Sequence, residues 1–439
     1  MSRSKTKRFK LKLQHKRLLL KASRVKVEEY FVSFPRRYRS KKWLHKSNDY
    51  RHLCTYRYEG DVQATPSVVN HGDLIAYISA SAPTHIIDGW SYLGRAVDAT
   101  LRGDAYSAIH LGYYAELRAA MGLLASEGIG IFQSAHPIVD NHNTTHPFRG
   151  GGTHKVIWPI LKYWATLRRA SDLLDDLVMP SSIPLSKWLT ITKSRIPVRA
   201  IAQSWLASWG VDLAVVDDDH DCRNLASYRP SEFRRPKRLD VYDQANFVEE
   251  LWQLFEPSAA RRFPNLERLL LRSARRKETQ NAPAISDVQG LGLTVNDSSD
   301  WVAFLQRDDD PIPLRLAEEW VPVEDPTCHL RIISRAALLL FIASAAARRL
   351  LSNAAYTSDD IRFWWSRHGE DRALWNIGSV PNDPQDLWAD IAQAINDSAA
   401  WRGNHSSNGT SLREWRQSQS GALLDFGGFE LVGIWALMP

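Results

Sequence analysis

An apolar run of twelve residues, 336–347, constrains the fold of this chain more than any other feature of the sequence. Arg335 precedes the run, and Arg348 and Arg349 follow it. A helix needs about 20 apolar residues to cross a bilayer, so this run is too short to do so. It therefore predicts a helix, over residues 331–352, that is buried in the interior of the protein.

Helical spacing of apolar residues extends over most of the chain. Asp104 can cap a helix that ends at Gly128, and another helix begins at Thr153 and is closed by Pro180. Further helices are predicted over residues 198–209, 211–228, 244–255, 258–276, 358–368 and 384–396. The better strand patterns are few, at residues 73–79 and 429–435. We therefore predict a mainly α-helical fold with minor β structure.

The domain organisation follows from length and from one change in composition. A chain of 439 residues can bury two or three cores. Helical spacing is lost over residues 278–300, where Asn, Ser, Gly, Gln and Pro accumulate. We therefore predict four parts, which are a basic N-terminal arm at 1–50, a helical domain at 51–277, a linker at 278–300 and a C-terminal helical domain at 301–439.

Positive charge is concentrated at the N-terminus. Residues 1–47 contain 17 Lys and Arg against Glu28 and Glu29, whereas the whole chain has a net charge of only +7. Cations interleaved with aromatic rings are typical of a segment that binds nucleic acid. A solubilising tail and a docking segment for an acidic partner are the alternatives. The residues predicted to bind nucleic acid are Lys5, Lys7, Arg8, Lys10, Arg36, Arg37, Arg39, Lys41 and Lys42.

The cysteines and the N-terminal residues bear on the cellular compartment of the protein and on its need for a metal or cofactor. The three cysteines, Cys54, Cys222 and Cys328, are too far apart for a CxxC motif and do not form a disulfide framework, which favours a reducing cytoplasm. The three leucines at 18–20 are too short a run for a signal peptide. We expect a cytoplasmic protein that does not associate with membranes and needs no cofactor or metal.

The strongest chemical pattern is an arginine followed by an asparagine. Arg223 and Asn224 follow an acidic stretch at 217–221, and Tyr228 lies one helical turn after Asn224. Such a group can hold a phosphate. Alternatively, Asp219 or Asp221 neutralises Arg223 and Tyr228 packs into the core.

The order of elements resembles that of the HEPN superfamily of helical bundles. The resemblance covers roughly residues 90–260 and rests on the helix at 110–120 and on the later Arg-Asn pair. It implies a metal-independent ribonuclease or an RNA-binding module of a prokaryotic defence or toxin system. The family's motif is an arginine, often an asparagine, and then a histidine four to six residues on, in a site that often forms between two protomers. Here Arg223 and Asn224 match the motif.

Tyr228 occupies the place of the family's histidine, and this departure changes the chemistry. A tyrosine has an ordinary pKa near 10, so it donates a hydrogen bond but is a poor base at neutral pH. Either the site only binds RNA or another residue transfers the proton. His220, three positions before Arg223, is the nearest candidate.

A second candidate site lies in a histidine-rich segment at 135–154. Arg149 and His154 are separated by four residues, three of which are glycines that let a backbone approach a phosphate. His154 also lies in the first turn of a predicted helix, where an anion is favoured. The alternatives are a polar loop between elements and a zinc site made by His136, His142, His146 and His154.

These patterns favour an RNA-directed protein of a defence or toxin system, with endoribonuclease activity as the specific hypothesis. RNA is the expected partner, together with a second copy of the chain or subunits of a defence complex. The rival hypothesis is a non-catalytic nucleic-acid-binding or scaffold subunit that uses the basic segment. A metal-dependent hydrolase using the histidine segment is a third.

Overall fold

The fold is mainly helical, as the sequence predicts. The computed structural model describes residues 9–37, 42–64, 68–191, 222–224, 226–227, 239–258, 262–278, 283–319, 325–405 and 411–439. The protein is 69% helical, and the described residues form 19 helices and one two-stranded hairpin. The elements of the N-terminal half are α1 (Leu13–Leu20), α2 (Arg24–Arg37), α3 (Cys54–Ala64), α4 (His71–Leu101), α5 (Ala105–Ser126), β1 (Ala135–Val139), β2 (Thr145–Arg149), α6 (Thr153–Ala165), α7 (Arg168–Leu177) and α8 (Leu185–Thr190).

In the C-terminal half, every regular secondary-structure element of the described residues is helical. Two 3-10 turns, Pro180–Ser182 and Pro384–Leu387, lie between longer helices. The helices are α9 (Val241–Leu254), α10 (Pro264–Glu278), α11 (Ile285–Gln289), α12 (Val295–Leu305), α13 (Ile312–Glu318), α14 (Cys328–Asn353), α15 (Arg362–Asp371), α16 (Trp388–Gly403), α17 (Leu412–Ser418), α18 (Ser420–Gly427) and α19 (Glu430–Leu437).

Three long helices, α4, α5 and α14, form the centre of the fold. Close approach depends on glycine, because a Cβ at Gly89 of α4 would lie 2.6 Å from Leu340 and one at Gly112 of α5 would lie 2.9 Å from Ile332. The apolar run in α14 is buried, which confirms the prediction of an interior helix. The prediction for α5 is also confirmed, since the Asp104 side chain accepts a hydrogen bond from Ser107 N and Gly128, at φ +81°, follows the helix end.

By length and hydropathy, α14 is the one helix in the described part of the chain that qualifies alone as a membrane span. Its mean hydropathy is 1.8, and the bent pair α18 and α19 passes the same test only when the two are taken together. The whole tested window of α14 is buried against the rest of the protein, as in the core helix of a soluble protein. The cytoplasmic location stays a prediction.

Both strand predictions are wrong. Residues 73–79 lie in α4, and residues 429–435 are the N-cap and the first six residues of α19. Short apolar runs fit a strand and a buried helix equally well. Asn70 decides the first case, since its side chain accepts a hydrogen bond from Asp73 N at 3.2 Å and caps α4. In α19 every residue is buried, so no polar face reveals the helical period.

The histidine-rich segment is a β-hairpin, which corrects its interpretation as a polar loop. β1 and β2 pair antiparallel, with Ala135 opposite Arg149 and Val139 opposite Thr145. Asp140 closes the turn by accepting hydrogen bonds from the backbone amides of His142 and Thr144 at 2.8 and 3.0 Å. The helix predicted from Thr153 to Pro180 is two helices, because the chain turns at residues 166 and 167 between α6 and α7.

The basic N-terminal segment folds onto the body of the protein over residues 13–37 and 42–50, so it is not an extended arm there. Leu19, Val27 and Phe31 are buried, and Trp43 packs on Phe363 with ring centroids 5.3 Å apart. Lys16 of α1 is exposed, as are Lys12 and Lys21 at the two ends of the helix. This segment is therefore a folded layer with a cationic outer face.

Residues 278–300, the predicted linker, contribute α11 and the start of α12. Val288 belongs to the largest buried apolar cluster, which also contains Trp158 and Phe341 from either side of the predicted boundary. The division into domains stays a prediction, and this shared core does not favour it.

Candidate functional site

Arg223 and Asn224 lie in a short helical piece of the chain that packs on α5 and α14. Cys222, which is 2% exposed, anchors this piece between Ile109 and Ile332. Residues 222–224 and 226–227 are helical, in agreement with the predicted helix over residues 211–228. Tyr228 and His220, the other predicted site residues, lie outside the described residues, as do Asp219 and Asp221.

The guanidinium of Arg223 is held by neutral groups. Its Nη1 donates a hydrogen bond to Asn224 Oδ1 at 2.7 Å, and its Nη2 donates one to the Tyr114 hydroxyl at 3.1 Å. The guanidinium carbon also lies 5.7 and 5.6 Å from the ring centroids of Tyr113 and Tyr114, which are cation–π distances. None of the ion pairs within the described residues includes Arg223. Its positive charge is therefore stabilised by dipoles and rings in this part of the chain.

His154 joins the same group of side chains through Tyr113. The Tyr113 hydroxyl is hydrogen-bonded to His154 Nδ1 at 3.0 Å, and the two rings stack at 5.9 Å. His110 lies on the other side, with its ring 4.9 Å from that of Tyr114 and its Nδ1 3.0 Å from the Ser227 hydroxyl. We name the six residues His110, Tyr113, Tyr114, His154, Arg223 and Asn224 the Arg223 cluster.

Helix geometry explains why α5 supplies three members of this cluster. Residues 110, 113 and 114 are three and four positions apart, so they share one face of the helix. Tyr113 is fully buried, whereas His110 and Tyr114 are half-buried. His154 reaches Tyr113 because it lies in the first turn of α6, which begins at Thr153 as predicted.

Burial and charge set the protonation of the cluster. Burial lowers the pKa of His110 below its usual value of 6.5, and the Arg223 guanidinium lowers it further. Burial also raises the pKa of Tyr113 above its usual value. At neutral pH the Arg223 guanidinium therefore lies beside a neutral His110 and an un-ionised Tyr113.

The structure separates the two residues of the second candidate site. His154 belongs to the Arg223 cluster, but Arg149 is exposed at the end of β2 and its charge acts on the buried Tyr58 of α3. The three glycines between them form the connection from β2 to α6, with Gly152 at the N-cap. The two predicted sites thus merge through His154, without a role for Arg149.

The four histidines of the zinc alternative have different neighbours. His136 is buried and contacts Gly151 O and Phe132 N, at 3.1 and 3.0 Å. His146 is hydrogen-bonded to Asp140 at 2.8 Å, and His142 is exposed. The described part of the chain contains no group of three or more His, Cys, Asp or Glu side chains placed to hold a metal.

Exposed cations lie next to the hairpin that leads into α6. α1 packs on β2, with the His15 and Phe148 rings 4.7 Å apart. Of the predicted nucleic-acid-binding residues, Lys10 and Lys42 are exposed. Lys5, Lys7, Arg8, Arg39 and Lys41 lie outside the described residues, and Arg36 and Arg37 are described only as backbone of α2. The exposed cations of this surface are Lys10, Lys12, Lys16, Arg17, Lys21 and Lys155.

Sequence reasoning assigned no role to His110, Tyr113 or Tyr114. Their shared helical face is a visible signal, but only the fold shows that this face meets Arg223, which is 109 residues away from Tyr114. Comparison with models of protein families, with curated proteins and with solved structures finds no match to this chain. The resemblance to the HEPN superfamily therefore stays a prediction.

Proposed function

We propose that this protein is an RNA-directed, metal-independent endoribonuclease that uses the Arg223 cluster. One observation carries the proposal. The Arg223 guanidinium is half-buried and held by an amide, a hydroxyl and two aromatic rings, without an ion pair to any carboxylate of the described residues. A phosphodiester would place a negative charge against this guanidinium.

Binding of the phosphate follows from the geometry of the guanidinium. Arginine presents several donors in a planar fork that matches two phosphate oxygens. Nε of Arg223 is buried and makes no hydrogen bond to the described residues, while Nη1 and Nη2 are bonded to neutral acceptors. Because a charged acceptor makes the stronger hydrogen bond, a phosphate can replace Asn224 or Tyr114 at this fork.

Cleavage needs a base for the ribose 2′-hydroxyl and a cation for the charge that develops on phosphorus. His110 suits the first role, since burial and Arg223 lower its pKa and keep it neutral at pH 7. Arg223 suits the second role. The 2′-oxygen would attack the phosphorus, forming a cyclic phosphate and releasing the 5′-oxygen, which takes a proton from His154 or from water. His110 and His154 thus take the part first expected of Tyr228 or His220.

The exposed cations in and beside α1 support an RNA substrate. Lys16 and Arg17 belong to this helix and Lys12 and Lys21 flank it, and the helix packs on the hairpin leading to His154. Clustered cations attract a polyanion and speed its encounter with the protein. A role in a prokaryotic defence or toxin system is part of the same proposal, and it rests on the resemblance to the HEPN superfamily.

The test is cleavage of a fluorescent single-stranded RNA by the full chain in the presence of EDTA. We expect Arg223→Ala to slow cleavage by about 100-fold or more, as loss of a group that stabilises developing charge does. His110→Ala should have an effect of about 100-fold as well. Arg168→Ala is the matched control, because Arg168 is an exposed arginine paired with Asp172 at 3.4 Å. Cleavage that requires a divalent metal, or that is equal in all variants, would contradict the proposal.

The cationic outer face favours a second function, which is RNA binding without cleavage. If the wild-type chain binds RNA and leaves it intact, this function replaces the first. Charge reversal at Lys12, Lys16 and Lys21 should then weaken binding to all RNA sequences equally, and each lost phosphate contact should reduce the salt dependence by about one unit of slope. The test is a titration of binding against salt concentration.

A further inference from the structure

Two buried thiols contact each other beside the Arg223 cluster. The Sγ atoms of Cys222 and Cys328 are 3.6 Å apart, although the residues are separated by 106 positions in the chain. Cys222 is 2% exposed and Cys328 is 1% exposed, and neither is in a disulfide in the structure. Cys222 directly precedes Arg223, and Cys328 is the first residue of α14. The contact therefore joins the segment that carries Arg223 to the central helix.

The hydrogen bonds give the two sulfurs different roles. Cys222 Sγ accepts a hydrogen bond from the Cys328 thiol and another from Arg331 Nη2 at 3.5 Å. A guanidinium next to a cysteine sulfur stabilises the thiolate, which is the reactive form. Cys222 is therefore the better nucleophile of the pair, and Cys328 is placed to react with it next.

The third cysteine has a different environment. Cys54 lies in a separate apolar cluster with Tyr50 and Tyr58. Burial raises its pKa to about 12, so it remains a thiol at neutral pH. Cys54 is therefore an internal control for the reactivity of the pair.

We propose that Cys222 and Cys328 are a disulfide-forming site that reacts with a peroxide. The Cys222 thiolate attacks one oxygen of hydrogen peroxide, which breaks the O–O bond and gives a sulfenic acid and hydroxide. The Cys328 sulfur then attacks the sulfenic sulfur, an S–S bond forms, and the sulfenic oxygen leaves as water with the thiol proton. In sum, two thiols are oxidised to one disulfide and one peroxide is reduced to two waters.

The disulfide tethers Cys222, and with it the neighbouring Arg223, to α14. In a reducing compartment it forms under oxidative conditions and is reversed by dithiols. The cross-link closes a long loop of the unfolded chain, which stabilises the folded state. This inference is independent of RNA cleavage, because it depends only on the two sulfurs and their neighbours.

The experiment treats the reduced full chain with hydrogen peroxide, a probe small enough for a buried site, and then alkylates the remaining thiols. Digestion without reduction and mass spectrometry should give a peptide that joins Cys222 to Cys328, at least about tenfold more abundant than any cross-linked peptide containing Cys54. The melting temperature should rise on oxidation and return with dithiothreitol. Recovery of Cys222 and Cys328 as separate alkylated or sulfinic residues overturns the proposal.

Two variants make the roles of the sulfurs testable. Cys328→Ser should leave Cys222 as a sulfenic acid that a dimedone reagent labels, whereas Cys54→Ser should form the same cross-link as the wild-type chain. Labelling of Cys328 in a Cys222→Ser variant at the same rate would contradict the assigned order. If Cys328→Ser does not fold, the peptide map of the wild-type chain still decides whether the disulfide forms.

Discussion

Arg223 and Arg272 differ in what surrounds their guanidinium groups. Arg272 of α10 is 2% exposed, and its guanidinium donates hydrogen bonds to the Asp310 carboxylate at 2.8 Å and to Asp309 O at 2.7 Å. Arg223 is bonded instead to an amide and a hydroxyl and lies against two tyrosine rings. An arginine that is paired with carboxylates stabilises the fold but does not attract a further anion. An arginine that is held by neutral groups keeps a positive charge that can bind an anion.

The largest expected effect is on the stability of the Arg272 region. Arg272→Ala removes a buried cation from Asp310, which among the described residues then keeps its ion pair with Arg276. We expect the free energy of unfolding to fall by about 3 kcal/mol. Urea unfolding followed by circular dichroism measures this change. A loss no larger than that of Arg168→Ala, an exposed pair worth less than about 1 kcal/mol, would show that Arg272 is not a structural anchor.

We expect Arg223→Ala to lower the stability of the protein less than Arg272→Ala does, and to weaken RNA binding. Loss of the cation–π contacts and of two neutral hydrogen bonds should lower the free energy of unfolding by about 1 kcal/mol. RNA affinity should fall by about tenfold or more, because the phosphate loses its cation. Urea unfolding and a fluorescence binding titration give the two values. Equal destabilisation by Arg223→Ala and Arg272→Ala would remove the contrast between the two regions.

Tyr114→Phe sharpens the comparison by removing one acceptor of Arg223 and keeping the ring. The ring of Tyr114 also stacks on Tyr92 at 5.5 Å, and this contact remains. We expect a loss of about 1 kcal/mol or less in the free energy of unfolding, which is the usual worth of one hydrogen bond. Tyr56→Phe is the control, because Tyr56 is 81% exposed and should change stability by less.

The smallest effect concerns the protonation of His110. Burial and then the charge of Arg223 lower the pKa of His110, so Arg223→Ala should raise this pKa toward its ordinary value. Because the folded-state pKa lies below the unfolded value, His110 contributes stability above pH about 6.5 that is lost as the pH falls through the folded-state pKa. NMR titration of the His110 ring measures the shift. No change in the pKa would indicate that Arg223 and His110 are not electrostatically coupled.

Local signals predicted the long helices α5 and α14, but not α4, which is the longest helix of the described residues. The cap at Asp104 and the apolar stripe of α5 act over three or four residues and can be identified in the sequence, whereas the cap at Asn70 was recognised only in the structure. Runs of seven residues at 73–79 and 429–435 were assigned to strands because a short buried segment has no polar face to show its period. The hairpin at 135–149 was missed because Asp140, which closes its turn, lies among residues typical of loops.

The candidate site was predicted only in part, for a similar reason. Arg223, Asn224 and His154 were identified from their residue types and spacing. Tyr113 and Tyr114, which connect them, resemble ordinary core residues of an amphipathic helix. Nothing in the local sequence indicates which arginine will pack on that face, because the contact depends on how α5, α6 and the 222–227 segment are arranged together.

Taken alone, the amino-acid sequence determined the helical class, the buried centre at α14 and the concentration of positive charge at the N-terminus, because periodicity and charge act between near neighbours. Tertiary packing alone decided that Arg223 meets tyrosines, that His154 joins it through Tyr113, and that Cys222 touches Cys328. These contacts link residues 41 to 109 positions apart. Such pairs are brought together by the burial of apolar helix faces, which fixes the positions of the polar groups that those helices carry.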